Sequence, residues 1–119
     1  MERRLLKSKI HRARVTDANL EYEGSVTLDS ALMELANIAP WEMVAIWDVT
    51  NGERIETYVV PGKAGTGVVC INGAAAHKIH KGDIVILASF ANYTEERAWE
   101  HNPKRIFVDA NDNNKVLAT

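Results

Sequence analysis

Short stretches in which apolar and polar residues alternate recur along most of the chain, and they predict strands more often than helices. The predicted strands cover residues 4–15, 43–49, 55–60, 68–72, 84–90, 106–108 and 115–118. The run from Ile84 to Phe90 is almost continuously apolar, which predicts a strand buried on both faces. Many short strands with little helix are typical of a small all-β protein.

Two segments carry a helical pattern instead. In residues 30–36 the apolar Leu32, Leu35 and Ala36 are spaced three and four positions apart, and Asp29 is a good N-cap for this helix. Pro40 prevents the helix from continuing. Residues 95–100 predict one further helical turn, so we expect one or two short helices.

Turn-forming residues separate these elements. Asn51-Gly52 predicts a tight hairpin between residues 43–49 and 55–60, because the dipeptide readily adopts positive φ angles. Three glycines and a proline predict a loop over residues 61–67. Further turns are predicted at residues 17–19, 81–83 and 111–114. The pattern as a whole predicts a single small β-barrel domain over residues 1–119.

Composition narrows the class of protein. The chain has 119 residues, of which 46% are hydrophobic and 25% charged, and these values are ordinary for one globular domain. Its net charge of −2 comes from mixed acidic and basic residues, so no basic stripe suits nucleic acid. The single Cys70 lies among apolar neighbours and predicts a buried strand in a reducing compartment. We find no secretory signal and no apolar run of about 20 residues, and so expect a cytoplasmic protein that does not bind a membrane.

A few polar residues have the types and spacing of a binding site. Arg54 and Tyr58 are four positions apart on one predicted strand, so they share a face about 13 Å apart, whereas Thr57 points to the opposite face. Lys9 and His11 likewise share a face of the first strand. Ordinary half-exposed sheet faces produce the same patterns, so spacing alone leaves both explanations open.

Small-residue junctions offer a second kind of candidate. Gly24-Ser25 is by itself a common turn, and the backbone N–H groups of residues 72–76 suit either an anion or tight packing. His77 and His80 have the spacing of a metal pair. Because no cysteine or acidic cluster accompanies them, we expect solvated histidines and no metal site.

Several motifs, taken together and in order, resemble the aspartate 1-decarboxylase family across residues 3–92. They are Lys9-Ile10-His11-Arg12, Tyr22-Glu23-Gly24-Ser25, Trp47-Asp48-Val49-Thr50-Asn51-Gly52-Glu53-Arg54, Thr57-Tyr58, Asn72-Gly73-Ala74-Ala75-Ala76-His77 and Gly82-Asp83-Ile84-Val85-Ile86. The resemblance implies a six-stranded double-psi β-barrel. It also implies a homotetramer with each active site between subunits, where both faces of the Thr57 strand can contribute.

The resemblance further implies a self-cleaving precursor. Cleavage between Gly24 and Ser25 yields a small chain of residues 1–24 and a large chain of residues 25–119, and Ser25 becomes an N-terminal pyruvoyl group. This covalent cofactor, rather than PLP or a metal, forms a Schiff base with L-aspartate and yields β-alanine and CO2. β-Alanine feeds pantothenate and coenzyme A biosynthesis.

The resemblance also assigns roles to individual residues. The pyruvoyl group comes from Ser25, and Tyr58 is the proton donor. The substrate is bound by Lys9, Arg54, Thr57, Gly73, Ala74 and Ala75. Self-processing involves Gly24, Ser25, Thr57 and Asn72, and the site is supported by His11, Tyr22 and Trp47.

One departure and two alternatives stand beside this interpretation. The family pattern has a histidine at position 21, where this chain has Glu21, so an additional acidic group lies near the cleavage segment. One alternative is a self-cleaving hydrolase in which Ser25 remains a free N-terminal nucleophile. The other is an uncleaved, non-catalytic binding module on the same barrel.

Overall fold

The computed structural model describes residues 1–119 and confirms a mainly-β chain, with 51% of its residues in strands. The strands are β1 (Glu2–Arg14), β2 (Asp17–Asn19), β3 (Ser25–Asp29), β4 (Met43–Asp48), β5 (Arg54–Gly62), β6 (Val69–Asn72), β7 (Ile84–Thr94), β8 (Lys104–Asp109) and β9 (Lys115–Ala118). The helices are α1 (Ser30–Ala36), α2 (Glu95–Ala98) and a 3-10 helix (Gly73–His77). None of these helices has the length and apolar character that spanning a bilayer requires.

The nine strands form one mixed sheet in the order β2-β6-β3-β5-β4-β7-β1-β8-β9, so there are more strands than the six of the expected barrel. Most pairs are antiparallel, whereas β1 with β8, β2 with β6 and β3 with β5 are parallel. The two residues after β1 bond to β6 and to the residue before β7. Thr16 N–H donates to Val69 O, and Val15 N–H donates to Asp83 O, each over 2.8 Å. The Thr16–Val69 bond requires the sheet to curl, because β1 and β6 are far apart in the strand order, whereas the Val15–Asp83 bond continues the pairing of β1 with β7.

Alternation along the strands separates a core face from a polar face. Twenty buried apolar residues form one continuous cluster. In β3 and β6 the fully buried members of this cluster are Val26, Leu28, Val69 and Ile71. The intervening residues face the other side of the sheet and are Ser25, Thr27, Cys70 and Asn72. The candidate site is built on this second face.

Helix α1 is confirmed with its predicted bounds and its predicted cap. Asp29 Oδ1 accepts a hydrogen bond from Ala31 N–H over 2.8 Å, as an N-cap should. The second oxygen, Oδ2, accepts from Gly67 N–H over 2.9 Å. Asp29 therefore joins the start of α1 to the loop that precedes β6. Asn37, in the left-handed region, ends the helix.

Two segments predicted as turn or loop are strands. Residues 17–19 form β2, which pairs in parallel with Cys70, Ile71 and Asn72 of β6. Pro61 and Gly62 extend β5, because they pair with Leu28 and Asp29 of β3. In both places pairing with a distant strand overrides the local turn preference. Pro61 is tolerated near the strand end, where it is exposed.

Three further predictions need correction. Strand β7 is not buried on both faces, since Ile84 and Ile86 are half-buried and Phe90 is 37% exposed. The predicted antiparallel hairpin of β4 and β5 is confirmed, but its connection spans residues 49–53, and of Asn51 and Gly52 only Gly52 has a positive φ, of 82°. Cys70 is half-buried rather than buried, because it faces the polar side of β6.

Candidate active site

Ser25 and Asn72 lie directly opposite each other where β3 begins and β6 ends. Asn72 Nδ2 donates to Ser25 Oγ over 3.0 Å, and the Ser25 hydroxyl makes a longer bond of 3.4 Å to the Glu23 carbonyl. The two residues are only 5% and 4% exposed. The structure thus brings together the expected nucleophile and one of the side chains expected to support it.

Gly73 brings the start of the 3-10 helix against the segment that precedes Ser25. A Cβ atom on Gly73 would lie 2.7 Å from Gly24 Cα and 3.1 Å from the Tyr22 carbonyl oxygen. Gly73 also has a φ of 78°, which favours glycine. Around Gly24, by contrast, a Cβ would meet nothing within 4 Å, and its φ is not in the left-handed region. The close approach therefore requires glycine at position 73.

Tyr58 occupies the strand position next to Ser25. The parallel ladder of β3 and β5 begins at Val26 and Val59, so Ser25 and Tyr58 each precede it by one residue. Alternation puts both on the side away from the core, whereas Thr57 points the other way. The Tyr58 ring packs on Trp41, with 5.7 Å between ring centroids. Tyr58 is thus a neighbour of Ser25 within one chain.

Arg54 lies at the other end of the exposed face of β5. It pairs with Trp47 of β4, and its guanidinium carbon is 4.4 Å from the centroid of the Trp47 ring. This cation–π contact holds an exposed arginine in place without using its N–H donors. Arg54 is therefore available to bind an anion, and Trp47 orients it.

Lys9 and His11 lie elsewhere in the chain. Strands β7, β4 and β5 separate β1 from β3 in the sheet. His11 packs edge-on against Phe107, with 5.5 Å between ring centroids. Burial, followed by the charges of Lys9 and Arg12, lowers the pKa of His11. Strand β1 pairs with β7 and β8 rather than with β3, and neither Lys9 nor His11 is a hydrogen-bond partner of Ser25.

The remaining expected residues border the cleavage segment. Tyr22 is 59% exposed, and its carbonyl lies beside Gly73. On the 3-10 helix, Ala74 is exposed and Ala75 is half-buried. Ala75 packs against the hydrophobic core cluster.

Comparison with known proteins identifies the family. The family model described as aspartate decarboxylase matches residues 1–116. A protein of Syntrophus aciditrophicus named aspartate 1-decarboxylase is 59% identical, over 92% of this chain and 94% of that protein. Proteins with the same name from Syntrophotalea carbinolica and Thermoanaerobacter pseudethanolicus are 55% and 53% identical. The first match covers 92% of this chain and 83% of the Syntrophotalea protein. The second covers 94% of this chain and 96% of the Thermoanaerobacter protein.

The chain belongs to the aspartate decarboxylase family. Glu21, the departure from the aspartate decarboxylase pattern, is exposed, and its N–H donates to Asn19 Oδ1 over 3.0 Å. Its carboxylate makes no hydrogen bond or ion pair in the chain. The Ser25–Asn72 contact forms without it.

Two polar neighbours of the aspartate decarboxylase site were missed by the sequence analysis. Asn72 Nδ2 also donates to Thr27 Oγ1 over 3.0 Å, and the Cys70 thiol donates to Asn72 Oδ1 over 3.3 Å. Burial, and then the charge of Asp17, raises the pKa of this thiol. The signal was the alternation itself, which puts Thr27 on the face of Ser25 and Cys70 on the face of Asn72.

A buried pair of carboxyl groups was also missed. Asp48 and Asp83 are 3% and 8% exposed. Burial, followed by a hydrogen bond with Asp83, raises the pKa of Asp48 to about 6. Burial opposes ionisation of Asp83 too, but hydrogen bonds from Asp48 and the His80 N–H lower its pKa. Asp48 Oδ2 is buried without a donor, which suits an oxygen that carries a proton.

The His80 side chain contacts the backbone of His77. A ring nitrogen of His80, Nε2, is 3.1 Å from the His77 carbonyl oxygen. The chain contains no group of three or more His, Cys, Asp or Glu residues placed to hold a metal ion.

Proposed function

We propose that this member of the aspartate decarboxylase family is a carboxy-lyase that converts L-aspartate to β-alanine and CO2 for pantothenate biosynthesis. Family membership over residues 1–116 and three relatives named aspartate 1-decarboxylase support the proposal. The observation that carries it is the buried Ser25, which follows Gly24 and accepts a hydrogen bond from Asn72. We expect the enzyme in the cytoplasm.

Self-cleavage comes first, since the chain is a zymogen. The Ser25 hydroxyl oxygen attacks the Gly24 carbonyl carbon, the peptide C–N bond breaks, and an ester with a free amine results. Loss of the Ser25 Cα proton and of the Gly24 carboxylate leaves dehydroalanine, which water converts to a pyruvoyl end with release of ammonia. The products are residues 1–24 and 25–119.

Asn72 and Thr57 are the side chains that we expect to assist this step. The Asn72 Nδ2 hydrogen already points at Ser25 Oγ, where it stabilises negative charge as the hydroxyl proton leaves. Thr57 points to the opposite face of β5 from Tyr58, so we expect it to act as a donor to the oxyanion only at a site formed between subunits.

The surroundings of Ser25 fit a pyruvoyl group. The position is buried, and the Asn72 amide donor suits a carbonyl oxygen as well as a hydroxyl. Held at position 25 beside Asn72, the group would supply a ketone for the substrate amine and an electron sink for the loss of CO2. Tyr58, next to Ser25 in the strand register, then delivers a proton to the substrate α-carbon.

Cationic and backbone groups bind the substrate. Arg54 offers a planar pair of N–H donors that matches a carboxylate, and Trp47 holds it from the opposite side. Lys9 supplies a second positive charge, and the backbone of residues 73–75 lines the pocket. Their small side chains leave room for an amino acid.

We also propose a homotetramer whose active sites lie between subunits. Lys9 and His11 lie on β1, which pairs with β7 and β8 and not with the Ser25 strand, and we expect a second subunit to bring such residues to the Ser25 site. Trp41 and Met43, which flank Tyr58, are 72% and 53% exposed, as expected for an apolar contact surface. The bond from Thr16 N–H to Val69 O, which joins the end of β1 to β6, supports closure of the sheet as a double-psi barrel.

The proposal is tested by intact mass together with activity. We expect two fragments, with residues 25–119 lighter by one ammonia than a serine-ended chain, and β-alanine formation that requires cleavage. Ser25→Ala should abolish both. A large fragment ending only in serine would favour the hydrolase alternative, and fully active but uncut protein would refute the proposal.

A further inference from the structure

Four polar side chains form a hydrogen-bonded network on the outer face of β3 and β6. Ser25 is paired with Asn72, and two residues further along Thr27 is paired with Cys70. Because side chains two apart in a strand share a face, all four meet on one side of the sheet. The Asn72 amide is the centre of this network, with a hydrogen bond to each of the other three.

Both Nδ2 hydrogens of the Asn72 amide have an acceptor, and its Oδ1 has a donor. The two Nδ2 hydrogens reach Ser25 Oγ and Thr27 Oγ1, both over 3.0 Å. The thiol of Cys70 donates to Oδ1 over 3.3 Å. With Thr27 and Cys70 in place, the nitrogen of the amide faces Ser25, and the oxygen faces away.

We propose that Thr27 and Cys70 are positioning residues for self-cleavage, which hold the Asn72 amide with its nitrogen towards the Ser25 hydroxyl. The inference rests on the proposed function, because it concerns the cleavage at Ser25. Neither residue contacts the scissile bond in this scheme. Both act through Asn72.

The orientation matters because the Ser25 hydroxyl must give up its proton to attack the Gly24 carbonyl carbon, and negative charge stays on Oγ until the attack passes it to the Gly24 carbonyl oxygen. An N–H directed at Oγ stabilises the charge, whereas a turned amide would present its own partly negative Oδ1. Without an acceptor at position 27, the second Nδ2 hydrogen loses its partner, and the preference for the productive orientation weakens. Thr27 therefore controls a contact that it does not make itself.

The test follows cleavage of freshly purified precursor by intact mass at a fixed temperature, together with the thermal unfolding midpoint. Thr27→Val removes the hydroxyl but keeps the shape, and we expect cleavage to slow roughly five- to tenfold, the effect of one hydrogen bond. Thr27→Ser restores the hydroxyl and should restore the rate. Cys70→Ala should slow cleavage less, because a thiol is a weak donor, and Cys70→Ser should recover it.

Thr16→Val is the matched control. Its hydroxyl also bonds to β6, but to the backbone of Val69. We expect this variant to lower the unfolding midpoint without the same slowing of cleavage.

The outcomes distinguish failure of the positioning role from failure of the proposed function. If the unaltered chain never cleaves, the proposed function fails first. If it cleaves and Thr27→Val keeps its rate, or if Thr27→Ser is as slow as Thr27→Val, the positioning role is wrong. If Thr27→Val does not fold, equal rates for Cys70→Ala and the unaltered chain overturn the inference.

Discussion

Replacing Gly73 by alanine tests whether the close contact between the 3-10 helix and the cleavage segment is needed for self-cleavage. The added Cβ would lie 2.7 Å from Gly24 Cα, and ordinary contacts begin at 3.4 Å. Either the helix or the segment before Ser25 must therefore move by about 0.7 Å, the difference between these distances.

A shift of this size falls on the atoms that react. Displacement of reacting groups by about 1 Å can cost on the order of 10²-fold in rate. We therefore expect Gly73→Ala to slow cleavage between tenfold and about 100-fold. The φ of 78° adds a second effect, because a non-glycine residue in the left-handed region costs roughly 1–2 kcal/mol.

Gly65→Ala is a control for the backbone effect alone. Gly65 has a φ of 81°, but a Cβ there meets nothing within 4 Å. Gly65→Ala should lose the stability that the φ effect costs and Gly73→Ala should lose more, because of its steric contact, whereas only Gly73→Ala should slow cleavage in an intact-mass time course. Equal cleavage rates for the two variants would contradict the proposed role of the contact.

Three further predictions concern the reaction and the buried carboxyl pair. Tyr58→Phe should cleave normally but turn over about 10²- to 10⁴-fold more slowly, and unchanged turnover would assign the proton to another group. Arg54→Lys keeps the charge but loses the planar pair of donors, so the KM for aspartate should rise with little change in kcat. An unaltered KM would remove Arg54 from substrate binding. The pKa of Asp48 is raised from 3.8 to about 6, so the folded chain binds a proton that the unfolded chain has released. The unfolding free energy, measured against Asp48→Asn, should thus fall as the pH rises from the unfolded pKa of Asp48 towards its folded pKa. A pH-independent difference would argue against the raised pKa.

The sequence alone determined the features that depend on neighbours along the chain. The cap of α1 by Asp29 and the strand predicted over residues 68–72 follow from residues a few positions apart, and both are present in the structure. Motifs around Gly24 and Asn72 were sufficient to indicate the family, which the comparison confirms. These signals are local, so no knowledge of the fold was needed to read them.

Tertiary structure decided which of these segments meet. Ser25 and Asn72 are 47 positions apart, and only the pairing of β3 with β6 makes them partners. The same pairing adds Thr27 to the network, and pairing with β6 turns residues 17–19 into a strand. Strand register depends on the packing of the whole chain, because each strand pairs so that its apolar face is buried against residues distant in sequence. The same packing puts Lys9 and Ser25 on strands that do not pair with each other.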